Sequence, residues 1–329
     1  MAESLINSIA RLRVIEKRLL TRETVSRLAA AKDYEECLKI LSESGYGMKS
    51  DPDEPDRAEA MIRAELGEAY SVTEELMPRH FAPVLEVFRM RHDITNIKLL
   101  YKLRLLGAEL DKAELGFGGI YDGEKLKAAV KKGDYSMLPK TIAAALEELD
   151  VDTYRSADPQ AVSVKLDGAY MKYAMGLKNQ FVKKYFSALA DFTNLIAILR
   201  DVPDERLLPA GDYSAAELKR FREALSDSKE KAAALLKSPL EISEVKERIR
   251  AAFSEYLKTG AVAPVEKARD EYLIGLASGN RSDIDSPAPI VGYLLARERE
   301  AEVVRLILTA KRSGIPASVI EERSMALYG

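Results

Sequence analysis

Between Leu166 and Leu199 the apolar residues fall at Leu166, Tyr170, Tyr173, Leu177, Phe181, Tyr185, Leu189, Phe192, Ile196 and Leu199, every step being three or four residues. Such spacing lays one apolar stripe along a helix and is incompatible with a strand, whose faces alternate every second residue. It predicts one long helix, opened by Asp158-Pro159 and closed before Pro203. The same spacing recurs at Leu5, Ile9, Leu12, Ile15 and Leu19. Asp33 with Glu36 reads as a capping box for a short helix ending near Gly45-Tyr46-Gly47. Sustained apolar–polar alternation is missing, and Asp122-Gly123 is the main hairpin-type dipeptide. Prolines stand in pairs at element boundaries: Pro52 and Pro55, Pro78 and Pro83, Pro203 and Pro209, Pro287 and Pro289. The chain reads as all-α.

Composition narrows the function classes. The 329 residues carry 50 basic and 53 acidic side chains, a net charge of −3, without the basic excess that nucleic-acid binding favours. Cys37, His80 and His92 are too few for a disulfide framework or a His/Cys metal site. No stretch approaches the roughly 20 apolar residues of a membrane span, and Met1-Ala-Glu-Ser-Leu lacks the pattern of a secretory signal. The expectation is a soluble, cytosolic chain that can still sit on a membrane complex. Asp51-Pro-Asp-Glu-Pro-Asp56 reads as a solvated loop between helices.

The chain also resembles itself. Phe88-Arg-Met-Arg-His-Asp93-Ile-Thr-Asn96-Ile is echoed by Phe186-Ser-Ala-Leu-Ala-Asp191-Phe-Thr-Asn194-Leu. Each copy leads into an apolar run that ends at a basic residue, Arg104 or Arg200. A weaker third copy is Glu302-Val-Val-Arg305-Leu, leading to Lys311. A second echo follows the first: Gly119-Ile-Tyr-Asp-Gly-Glu-Lys-Leu126 and Gly211-Asp-Tyr-Ser-Ala-Ala-Glu-Leu218. Three helical units of about 100 residues account for this, each large enough to hold its own core.

On a helix, Met90, Ile94, Ile97, Tyr101 and Leu105 share one face, with Ala188, Phe192, Leu195 and Leu199 as its counterpart. Asp93 and Asp191 lie about a quarter-turn off that stripe, and Asn96 and Asn194 further round. The pairs Asp93/Asn96, Asp191/Asn194 and Glu302/Arg305 therefore face water, a neighbouring helix or a partner. Their expected roles are structural docking between helices or partner contact.

Sites for chemistry are not assembled. Gly118-Gly-Ile-Tyr-Asp-Gly123-Glu124 approaches a phosphate loop, but Glu124 stands where the phosphate-neutralising lysine belongs. Gly116-Phe-Gly118-Gly119 lacks the spacing of a dinucleotide fingerprint and reads as a turn. His92 and Asp93 are sequence neighbours and point about 100° apart on a helix. Asp51, Asp53, Glu54 and Asp56 sit in a proline-interrupted loop, not on one inward face that could hold Mg²⁺. The expectation is no catalytic residue, no cofactor and no metal.

At these residues the sequence resembles the C subunit of bacterial and archaeal V/A-type rotary ATPases, equivalent to the d subunit of eukaryotic V-ATPases. The resemblance rests on the Asp-x-x-Asn-aliphatic helices and the stretch from Ala10-Arg-Leu-Arg-Val through Leu41 to Gly45-Tyr46-Gly47. It also rests on Pro289-Ile-Val-Gly-Tyr293-Leu-Leu-Ala-Arg-Glu-Arg-Glu-Ala-Glu302 with Arg305-Leu-Ile-Leu and Lys311-Arg-Ser-Gly314-Ile. The third copy departs from the pattern, with Glu302 for Asp and Arg305 for Asn. The resemblance implies three similar multi-helix units, 1–107, 108–203 and 204–329, in a pseudo-threefold, funnel-like arrangement. It implies a non-catalytic subunit on the cytoplasmic face of the membrane that links the central stalk to the membrane rotor ring and transmits torque for ATP-coupled ion transport. Its partners would be the stalk subunits and that ring, with no nucleic acid and no transmembrane segment of its own. The alternative from another class is an unrelated all-α repeat adaptor that binds a protein partner.

Overall fold

The three-and-four spacing becomes helix throughout the computed structural model, which describes residues 5–51, 53–153, 158–208, 211–228, 231–232, 235, 253–279, 283–317 and 319–320. Among the described residues the α-helices are α1 (Leu5–Ile15), α2 (Arg22–Ala30), α3 (Tyr34–Glu43), α4 (Arg57–Leu76), α5 (Ala82–Leu105) and α6 (Gly123–Lys132). They continue with α7 (Lys140–Thr153), α8 (Pro159–Gly176), α9 (Gln180–Leu199), α10 (Ala215–Asp227), α11 (Ala263–Gly279) and α12 (Ala288–Arg312). Among the described residues there is no strand, and no helix is long and apolar enough to cross a membrane. The boundary residues Pro52 and Pro209 lie outside the described residues, as do 236–252 and 321–329 of the expected third unit.

By its contacts the chain divides into two compact units, one formed by residues 1–85 with 270–329, the other by 86–269. In the first, α12 packs along α4 and also touches α1, α2 and α3. Residues 288–301 of this helix are buried apart from the half-buried Arg299, so charged side chains here must find partners inside the protein. In the second, an aromatic cluster joins three helices. Phe88 of α5 lies 4.9 Å from Tyr185 and 5.3 Å from Phe186 of α9, centroid to centroid. Tyr170 of α8 meets Phe186 edge-on at 5.5 Å and donates its hydroxyl to the Val87 carbonyl.

The stripe from Leu166 to Leu199 is not one helix. It is broken at 177–179, where Asn179 has left helical geometry and its side chain accepts from the Val182 N–H at 3.1 Å, starting α9 afresh. The apolar spacing runs on across the break because α8 and α9 both bury a face against the same core. The N-terminal stripe likewise stops at Ile15, followed by a single 3-10 turn over 16–18 and an extended Leu19. Asp158 and Pro159 open α8 as the spacing predicts, with the Asp158 carboxylate on the Gln160 N–H. Asp33 caps α3 through the Glu36 N–H, while Glu36 reaches back to Lys32 N, one residue earlier than a capping box requires.

Candidate functional site

Asp93 and Asn96 are carried by α5, Asp191 and Asn194 by α9. All four are buried, at 0, 5, 1 and 1 % exposure. What covers them is the stretch of chain that follows their own helix. The Asp93 carboxylate accepts from Ile120 N (2.7 Å) and Tyr121 N (3.3 Å). Asn96 makes a two-way bond with Gly116, accepting from its N–H and donating to its carbonyl, both at 2.8 Å. In the second copy Asp191 accepts from Asp212 N (2.9 Å) and Tyr213 N (3.1 Å). Asn194 accepts from Leu208 N (2.7 Å) and donates to Leu208 O (3.1 Å). The two echoes in the sequence are therefore the two jaws of one device: an Asp-x-x-Asn helix face that grips the loop ahead of the next helix.

The glycines that open the second echo are needed for the grip. A Cβ on Gly119 would lie 2.1 Å from Asp93 Oδ1, and one on Gly211 2.2 Å from Asp191 Oδ1. Gly211 additionally has φ near +131°, a conformation that L side chains rarely adopt. Beyond each loop a capped helix starts, with Asp122 on Lys125 N for α6 and a full Ser214–Glu217 capping box for α10. The residue after the leading aromatic adds a further hold in each copy. Arg89 donates to the carbonyls of Gly118 (2.9 Å) and Gly119 (2.6 Å), and Ser187 donates to the Asp212 carboxylate (2.7 Å).

Burial pushes Asp191 up to about 6, and pushes Asp93 up as well, against the opposing pull of the two N–H groups on each carboxylate. The loop amides at 120, 121, 212 and 213 are thus already satisfied by carboxylates and offer nothing to a phosphate. The glycine-rich segment 116–119 is the gripped loop itself. Burial also pushes the Cys37 thiol up to about 11 and His92 down to about 3, so neither supplies a thiolate or an imidazolium near neutral pH. Among the described residues no group of three or more His, Cys, Asp or Glu side chains is placed to hold a metal ion.

Glu302 and Arg305 of α12 are exposed and grip no loop. Glu302 pairs with Arg299 at 2.9 Å, and Arg305 makes a two-pronged bond to Glu59 at 2.8 and 3.0 Å. The charge buried on this helix lies a turn earlier. Arg297, 3 % exposed, reaches Glu300 and Glu65, and its Nε meets the Tyr293 hydroxyl. Sequence reasoning passes over this cluster, since Arg-Glu-Arg-Glu on a helix ordinarily marks a solvated face. Nor does it connect the glycines to the aspartates, although the repeated Gly-x-Tyr ahead of each capped helix is a usable signal.

Among the described residues the fold is helical, and α5 and α9 each use a buried Asp and Asn to hold the backbone of the loop that follows them. The chain belongs to the family described as ATP synthase (C/AC39) subunit, which matches residues 8–323. It is similar to the C subunit of the A-type ATP synthase of Methanocaldococcus jannaschii, 24 % identical over 97 % of this chain and 85 % of that one. Similar too are the C subunits of the V-type sodium ATPase of Enterococcus hirae (21 % identical; 98 % of each chain) and of the V-type ATP synthase of Deinococcus radiodurans (23 %; 96 % and 90 %).

Proposed function

We propose that this chain is a non-catalytic central-stalk subunit of a V/A-type rotary ATPase or ATP synthase, linking the rotating stalk to the membrane rotor ring and passing torque between them. The observation that carries the reading is family membership over nearly the whole chain, with relatives named as the C subunits of A-type and V-type enzymes. Its partners are the stalk subunits and the ring, and its place is peripheral, on the cytoplasmic face of the membrane. The three units 1–107, 108–203 and 204–329, arranged about a pseudo-threefold axis, form part of the same proposal. The matching clamps of α5 and α9 support it.

The physical argument is stiffness. A part that passes torque must not yield in its connections, and loops are ordinarily where a helical protein yields. Here two connections are held at several points by buried side chains, including carboxylates whose bonds to backbone N–H are worth about 1.5–3 kcal/mol each. On this reading Asp93, Asn96, Asp191 and Asn194 act structurally, stiffening the frame, while Glu302 and Arg305 are on a face open to partners.

Co-expression with central-stalk and rotor-ring subunits tests the proposal. The chain is expected to elute with both, and an assembly lacking it to hydrolyse ATP without moving ions. Elution apart from every stalk and ring component, with capture of some other protein, would favour the repeat-adaptor reading. Saturable ATP binding or turnover by the chain alone would overturn the non-catalytic assignment.

A further inference from the structure

The last long helix makes a contact of the clamp type with a segment far away in the chain. The Glu300 carboxylate, 2 % exposed, accepts from the backbone N–H of Leu20. Leu20 stands immediately before Thr21, the residue that caps α2 through the Thr24 N–H. Tyr121 stands in the same place before the α6 cap Asp122, and Tyr213 before the α10 cap Ser214. Four residues past each cap comes a buried aliphatic residue, Val25, Leu126 or Leu218.

A second contact repeats at the far end of the helices. Arg104, the eleventh residue after Asp93, donates to the carbonyl of Val130 at 2.7 Å, and Val130 is the eighth residue past the Asp122 cap. Lys311, the eleventh residue after Glu300, donates to the carbonyl of Ala29 at 2.7 Å, and Ala29 is the eighth residue past the Thr21 cap. Two unrelated contacts thus fall in one register. The α9 copy keeps the first contact and reverses the second: the eleventh residue after Asp191 is Val202, whose carbonyl accepts from Arg222, the eighth residue past the Ser214 cap.

From this register we infer that Glu300 is the acid of a third clamp, and that the loop it grips is at the front of the chain, so that one repeat is assembled from both chain ends. Glu300 with Lys311 forms a strap that holds α2 and the loop ahead of it onto α12. Arg297 braces the strap, since it lies between Glu300 and Glu65, and Glu65 in turn accepts from Gly47 N at 2.9 Å. A glutamate serves here where aspartate serves in α5 and α9, and no Asn follows at the third position, which is Val303. The inference stands apart from the rotary reading and survives if that reading fails.

Hydrogen exchange of the full chain, resolved to single amides, tests it. The amides of Leu20, Tyr121 and Tyr213 are expected to be protected although each lies in a loop. Glu300→Ala should speed exchange at Leu20 by at least about tenfold and leave Tyr121 and Tyr213 within about twofold, while Asp93→Ala should do the reverse, speeding Tyr121 and sparing Leu20. Glu302→Ala should move none of the three. If Glu300→Ala does not fold, Glu300→Met, which keeps the length of the side chain and removes the carboxylate that accepts from Leu20 N, takes its place. Leu20 exchanging at a free-loop rate in the unaltered chain, or staying protected in a folded Glu300 variant, would overturn the inference.

Discussion

Gly119→Ala offers a sharp test of the clamp because it adds one methyl and removes nothing. That methyl would stand 2.1 Å from Asp93 Oδ1 and 2.7 Å from its Cγ, whereas ordinary contact begins near 3.4 Å. The carboxylate must retreat by about 1.3 Å (3.4 − 2.1), beyond the reach of the 2.7 and 3.3 Å bonds to Ile120 and Tyr121. The loop cannot give way instead without breaking the two Asn96–Gly116 bonds and pulling against Arg89. Losing two hydrogen bonds to a charged acceptor costs about 1.5–3 kcal/mol each, and water recovers part of this, so a loss of about 3 kcal/mol is expected. The assay is the urea midpoint at constant slope, followed by the exchange rate of the Tyr121 amide. Gly67→Ala serves as the control: Gly67 is exposed inside α4, nothing lies within 4 Å of its added Cβ, and the same change should stabilise by about 0.5–1 kcal/mol. A Gly119→Ala chain as stable as the unaltered one, or shifted in the same direction as the Gly67 control, would falsify the clamp geometry.

Asp191 gives a pH signature. Its folded value near 6 lies above the ordinary 3.8, so between about pH 4 and 6 the folded chain holds the proton more tightly and Asp191's contribution to stability falls as pH rises. Denaturation midpoints measured across that window should therefore show a difference between Asp191→Asn and the unaltered chain that changes with pH, and levels off above about pH 7. Arg297→Ala strands Glu300 and Glu65 against each other in the interior and should cost about 3–5 kcal/mol, whereas Arg305→Ala, which breaks an exposed pair with Glu59, should cost under about 1 kcal/mol. Thermal denaturation of the two variants side by side gives the comparison, and equal losses would contradict the burial argument.

Helix content is legible in the sequence because the apolar spacing is local and each stripe is long. The break at 177–179 is not, since the apolar residues keep step across it and only Asn179, a side chain suited to capping, marks the restart. Asp93 and Asp191 are legible as a repeated pair and as lying off the apolar stripe. Their burial is not, because a helical wheel shows where a side chain points but not which later segment folds back over it. Gly119 and Gly211 carry that information, but only once paired with the aspartates does a glycine become a fitted part. Glu300 is least legible of all: the loop it holds does not follow its own helix but precedes α2, at the opposite end of the chain.

The loops 116–121 and 208–213 are equally long and are held by Asn, by Asp and by a capped helix at matching points. What they show to solvent differs. The first offers Phe117 and Ile120, 39 and 37 % exposed, and in the second an exposed Asp212 stands where the first has Ile120. At that one position the grip accommodates an aliphatic side chain in one copy and, in the other, a carboxylate that accepts from Ser187. The backbone grip and the side chain displayed at that position are thus set separately, the first by Asp and Asn of the preceding helix and the second by the loop residue itself.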